Sequence, residues 1–137
     1  PDSHNPRVAF MFEGIGKDEL IGNFGFHGGG AAGNELDRAD PALGTPPHAL
    51  TVATSEKHTD LYMVVNEDIL INHPGMSGND HPLVRADMVF FETPNGGAVF
   101  STGSIAYGAS LPWNDYKNNV AKLTTNVLKR FVNPKSF

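Results

Sequence analysis

Apolar positions along the chain fall into short runs separated by polar, glycine-rich and proline-rich stretches. The first run, Val8-Ala-Phe-Met-Phe12, has β character, and the polar residues 1–7 before it read as a linker. Residues 14–33 are glycine-rich and predict irregular backbone. Asn34 is placed to cap a short helix or turn over 35–39, which Pro41 limits to about two turns. Residues 43–47 read as loop. Ala49-Leu-Thr-Val-Ala53 predicts a buried strand, and the apolar segment 61–71 a further one, with Tyr62 in the core. A loop over 72–82 carries His73, Asp80 and His81. Ala86-Asp-Met-Val-Phe-Phe91 and Ala98-Val-Phe-Ser101 then flank Pro94-Asn95-Gly96-Gly97. Asn-Gly between two apolar runs predicts a hairpin over about 86–101. From 115 to 132, Val120, Leu123, Val127, Leu128 and Phe131 fall at helical spacing. Lys129 and Arg130 suit the last turn, and Pro134 lies past its end. Tyr107, Trp113 and Tyr116 predict an aromatic packing cluster at the helix entrance.

Strands followed by one amphipathic helix predict an α/β fold. A single helix covers at most one sheet face, so residues 1–137 read as one segment of a larger domain, and a first residue that is proline points the same way. Composition changes this picture little. The chain is 39% hydrophobic and only 18% charged, below the usual quarter, which suggests a surface partly covered by other protein. A net charge of −5 without a Lys/Arg cluster argues against nucleic-acid partners. No apolar run approaches the ~18 residues of a membrane span. Cysteine is absent, which removes disulfides, thiolate ligands and a cysteine nucleophile, and fits a cytoplasmic location.

The candidate chemistry centres on Phe24-Gly-Phe-His-Gly-Gly-Gly-Ala-Ala-Gly-Asn-Glu35. Six glycines (Gly22, Gly25, Gly28, Gly29, Gly30 and Gly33) precede the carboxylate of Glu35. Each adds unfolded-state entropy, so the run implies either mobility or a backbone that approaches something closely. Gly28-x-Gly30-x-x-Gly33 matches the dinucleotide fingerprint in letters, but the preceding strand is poor and Pro41 cuts the following helix short. Gly75-Met-Ser77-Gly78 falls one residue short of a serine-hydrolase elbow. His73 and His81, eight apart with Asp80 beside them, lack a short metal-ligand spacing. His4, His48 and His58 read as solvent or turn positions. His27 is the histidine placed to touch a ligand, or to make a structural hydrogen bond. Glu35 has two readings: a partly buried acid/base group with a raised pKa, or a solvated carboxylate in a first helical turn.

"GGGAAGNELDRADPALGTPPHALTVATSE" and "ADMVFFETPNGGAVFSTGSIAYGASLPWNDYKNNVAKLTTNVLKRF", in that order, resemble the C-terminal region of the large subunit of N,N-dimethylformamidases. The likeness runs from about 28 to 131 and is most specific from 96 onward. It implies the C-terminal part of a glutamine-amidotransferase-like domain without its cysteine. It also implies hydrolysis of N,N-dimethylformamide to dimethylamine and formate, and assembly of large and small subunits. The mononuclear non-haem iron of the family is bound by two tyrosines and a glutamate, a set this segment does not match, so its ligands are expected elsewhere. Tyr62, Tyr107 and Tyr116 stay unassigned. The residue carried over is Glu35 in Ala-Ala-Gly-Asn-Glu, resembling a glutamate that faces the iron pocket. His27, Gly29, Gly30, Ala31 and Asn34 would line the substrate pocket, and N–H groups of 28–33 would meet the oxyanion. The competing class is a non-catalytic scaffold completing the sheet and a subunit interface.

Overall fold

The computed structural model describes residues 1–64 and 74–137. Three antiparallel strands in the order β1-β2-β3 form the sheet: β1 is Leu50–Ser55, β2 Ala86–Glu92 and β3 Ala98–Ser101. A one-turn helix α1, Tyr107–Ser110, and the amphipathic helix α2, Asn119–Phe131, follow. The architecture is thus mixed helix and strand, with an antiparallel sheet among the described residues. Most of the strand expected over 61–71, and His73, lie outside the described residues; Met63 makes one isolated bridge to Ser77.

The first apolar run is not a strand. Pro6–Phe12 winds into a 3-10 helix, because Asn5 caps it through a 3.0 Å bond from the Arg7 N–H and Pro6 has the right φ for a first turn. In such a helix side chains three apart share a face. Val8 and Met11 do so and are fully buried, each contributing about 1.5–3 kcal/mol. The opening residues, read as a linker, are tied to β1: the Asp2 N–H donates to the Thr51 carbonyl at 2.8 Å, and the Asp2 carboxylate accepts from the Thr51 N–H. Arg7 pairs with Glu92 at the end of β2.

Helix α2 packs Val120, Leu123 and Val127 against Val8, Met11, Met88 and Phe90 to make the core. It begins four residues later than the spacing predicts. Asn114, Asp115 and Tyr116 hold φ of 51°, 53° and 63°, a left-handed turn that no α-helix can contain. Asn118 then caps α2 by accepting from the Ala121 N–H at 2.8 Å. Leu128 is 57% exposed, off the face that the spacing assigned it to. The aromatic cluster expected at the entrance is divided. Tyr107 is core and bonds the Thr124 hydroxyl at 2.7 Å, Trp113 stacks on Phe24, and Tyr116 is exposed.

Between β2 and β3 the Gly96 N–H donates to the Thr93 carbonyl, and the Thr93 N–H to the Gly97 carbonyl. Gly96 takes φ +79°, the left-handed position that closes such a turn.

Strand β2 is buried on both sides. Met88 and Phe90 face the helices, and the alternate residue Asp87 is 2% exposed. Its carboxylate accepts from the Arg85 guanidinium (2.9 Å), the Thr54 hydroxyl (2.9 Å) and the Ala39 N–H (2.8 Å). Its own N–H donates to the Asp37 carbonyl, while the Asp37 N–H reaches the Gly103 carbonyl. Residues 35–39 are therefore extended beside β2, not the helix or turn expected after Asn34.

Two outcomes follow. Asp87→Ala orphans the Ala39 N–H and strips Arg85 of its partner; Arg85 is 24% exposed, so the cost falls near the lower end for a buried pair, about 3 kcal/mol by urea denaturation. Burial pushes the Tyr107 hydroxyl pKa up, with the Thr124 bond opposing. Its folded pKa exceeds its unfolded one, so stability is full below about pH 10 and lost as pH rises through the folded value. Tyr107→Phe should remove that alkaline fall in a pH series of unfolding midpoints.

Candidate functional site

The glycine run is held against the chain's own helices. Asn119 at the start of α2 accepts from the Gly22 N–H at 3.0 Å and donates to the Leu20 carbonyl and the Glu19 carboxylate. Bonds from the Gly16 N–H and from Asn119 hold the Glu19 pKa below its usual value. A Cβ on Gly22 would sit 2.4 Å from the Ala31 Cβ and 2.9 Å from Val120, and one on Gly25 would lie 2.5 Å from the Ser110 hydroxyl. The close approach that these glycines permit is to the protein itself. Phe24 and Phe26 flank Gly25 and pack on Trp113, with ring centroids 6.0 and 5.2 Å away. Neither Asn23 to His27 nor residues 35–39 supply the strand and helix that a dinucleotide fingerprint needs.

Past Ala31 the backbone turns sharply. Asn34 has φ +64°, and the Glu35 N–H donates to the Gly33 carbonyl at 2.8 Å. A bond between residues two apart around a positive-φ centre is the rare, strained γ-turn. It is fastened from outside. The buried Ser104 hydroxyl accepts from the Gly33 N–H and donates to the Gly33 carbonyl, both at 2.8 Å. The half-buried Tyr62 hydroxyl accepts from the Asn34 N–H at 2.9 Å. Spacing along the chain gives no sign of either partner, since they lie 71 and 28 residues away.

The predicted residues divide. Gly30 and Ala31 line a cleft of about 780 Å³ between the glycine run and β1–β2, together with Gly22, Val52, Met88 and Thr102. His27, Gly29, Asn34 and Glu35 are exposed and lie outside that cleft. The partial burial expected of Glu35 is thus not provided by the described residues. The expected oxyanion donors are also fewer than the run suggests: the Gly30 N–H points to the His27 carbonyl, that of Ala31 to Gly22, and that of Gly33 to Ser104. Among the described residues no three His, Asp or Glu side chains are grouped so as to hold a metal ion. No helix among them is long and apolar enough to cross a membrane.

Residues 2–119 match the model of the N,N-dimethylformamidase beta subunit-like, C-terminal family. The N,N-dimethylformamidase beta subunit of an Alcaligenes species is 54% identical over 132 residues, 96% of this chain. That of Paracoccus aminophilus is 52% identical over the same length. The chain spans 17% of the length of either relative.

Substitutions at two glycines separate packing from conformation. Gly22→Ala combines a positive φ with contacts too short for any side chain, and should cost about 2–5 kcal/mol. Gly29 has φ +78° but no described atom within 4 Å of an added Cβ, so Gly29→Ala should cost roughly 1 kcal/mol. Thermal unfolding midpoints of the two variants check the difference.

Proposed function

Because the chain belongs to the N,N-dimethylformamidase beta subunit-like, C-terminal family, we propose that it contributes a glutamate acid/base, Glu35, to amide hydrolysis by a longer subunit. The observation that carries this reading is the γ-turn at Asn34: a strained non-glycine backbone, fastened by two hydroxyls, immediately precedes the carboxylate. Backbone strain that is over-determined by its surroundings is concentrated at functional sites. Glu35 lies at the surface of this segment, where the remainder of the large subunit would cover it and complete the pocket.

The chemistry assigned to Glu35 is proton movement. Its carboxylate takes a proton from a water as the water oxygen bonds to the amide carbon. It then delivers that proton to the amide nitrogen as the carbon–nitrogen bond breaks. With N,N-dimethylformamide the products are formate and dimethylamine, and the protonation matters because an unprotonated amide nitrogen leaves poorly. The mononuclear iron that the resemblance implies belongs to this proposal with its ligands outside this segment, and no step is derived through it. A small subunit, a cytoplasmic hetero-oligomer and an amidotransferase-like parent domain belong to the same proposal.

A scaffold role is the second reading. It is favoured by how tightly Gly22 and Gly25 pack on the chain's own helices and by the exposure of Glu35. Glu35→Gln in the full-length assembly separates the two. Amine release from dimethylformamide should fall about a hundredfold or more, with metal content on the same samples unchanged. Near-native turnover would assign the segment to the scaffold class.

A further inference from the structure

We infer that Tyr62 and Ser104 are positioning residues for the Glu35 carboxylate, a claim that rests on the acid/base reading of Glu35. In the stretch 22–35, Asn34 is the one non-glycine residue at positive φ among those described. Asn tolerates that region better than other L-residues, but a γ-turn centred on it is rare and strained, so the conformation needs support. What holds it is outside the turn.

Three consecutive amide N–H groups are each directed to a fixed acceptor. That of Gly33 meets the Ser104 hydroxyl, that of Asn34 the Tyr62 hydroxyl, and that of Glu35 the Gly33 carbonyl. Each bond orients one peptide plane, and the third plane carries the Glu35 Cα. Ser104 is itself held: 6% exposed, it also accepts from the Ala106 N–H at 3.3 Å, at the entry to α1. Tyr62 is anchored by its backbone to Thr59 and Gly78, and its ring lies 5.2 Å from that of His58. Gly33 fits between the two clamps because a Cβ there would stand 3.2 Å from the Tyr62 hydroxyl oxygen. Two hydroxyls from distant parts of the chain thus aim a carboxylate that neither of them touches through a bond of its own.

The test uses the full-length subunit assembly with dimethylformamide as substrate, and amide hydrogen exchange of a peptide over 28–35 as a second readout. Tyr62→Phe and Ser104→Ala should each lower kcat by about tenfold with KM within about twofold, and speed exchange of that peptide by a similar factor. Ser104→Thr, which keeps the hydroxyl, should restore both. A kcat within about twofold of native in both variants, while Glu35→Gln is inactive, overturns the inference and leaves the acid/base reading standing. Faster exchange in a protein whose Glu35→Gln variant remains active overturns the acid/base reading and the positioning role with it, leaving a clamp of structural value. Unchanged exchange with reduced kcat also overturns it, since the hydroxyls would then not hold the turn.

Discussion

A carboxylate buried to 2% exposure is tolerable in a protein only when donors replace its water, and Asp87 meets three. The rest of the site hangs on that solution. Because one of the donors is the Ala39 N–H, and because the Asp87 backbone takes the Asp37 carbonyl, the segment after Glu35 has to run extended along β2. Gly103 makes the arrangement possible. At φ +69°, it brings a backbone so close to Asp87 that a Cβ would stand 2.3 Å from the Asp87 carbonyl oxygen. One residue further, Ser104 fastens the other side of the γ-turn. Glu35 is therefore placed between two anchors that belong to one stretch of sheet and the turn leaving it.

The density of glycine before Glu35 has an answer in packing as much as in chemistry. Backbone order given up in the unfolded chain is offset by contacts that no other residue permits. Gly22 sits against Ala31 and Val120, and Gly25 against Ser110. Gly28 and Gly29, at φ +61° and +78°, make the reversal itself. The result is a run that is irregular in secondary structure yet engaged along much of its length, and that supports a strained residue at its end.

Much of the frame was legible in the residues. Short apolar runs marked β1, β2 and β3, with Asn-Gly between the last two, and apolar spacing marked α2, whose one buried face the period records. The 3-10 helix at Pro6–Phe12 was not legible, since a burial period of three over five residues looks like an uninterrupted apolar run. The late start of α2 comes from three left-handed residues; Asn114 and Asp115 are types that tolerate that conformation, but Tyr116 is not, and the helical spacing of the following apolar residues conceals the turn. Of the candidate site, the singular backbone before Glu35 could be read directly, while the partial burial expected of Glu35 is not seen among the described residues. The clamps could not, because Tyr62 and Ser104 meet Gly33 and Asn34 across 28 and 71 residues, and local pattern carries no information over such distances.

Asn119 adds a consequence in time. Its side chain bonds Gly22, Leu20 and Glu19, partners 97 to 100 residues earlier in sequence. Contacts of that span form after a large loop has closed, and topologies rich in them fold slowly. The hairpin β2–β3 and helix α2 are local and can form early. The shape of the glycine segment therefore depends on α2 being docked, through contacts that close a loop of about a hundred residues.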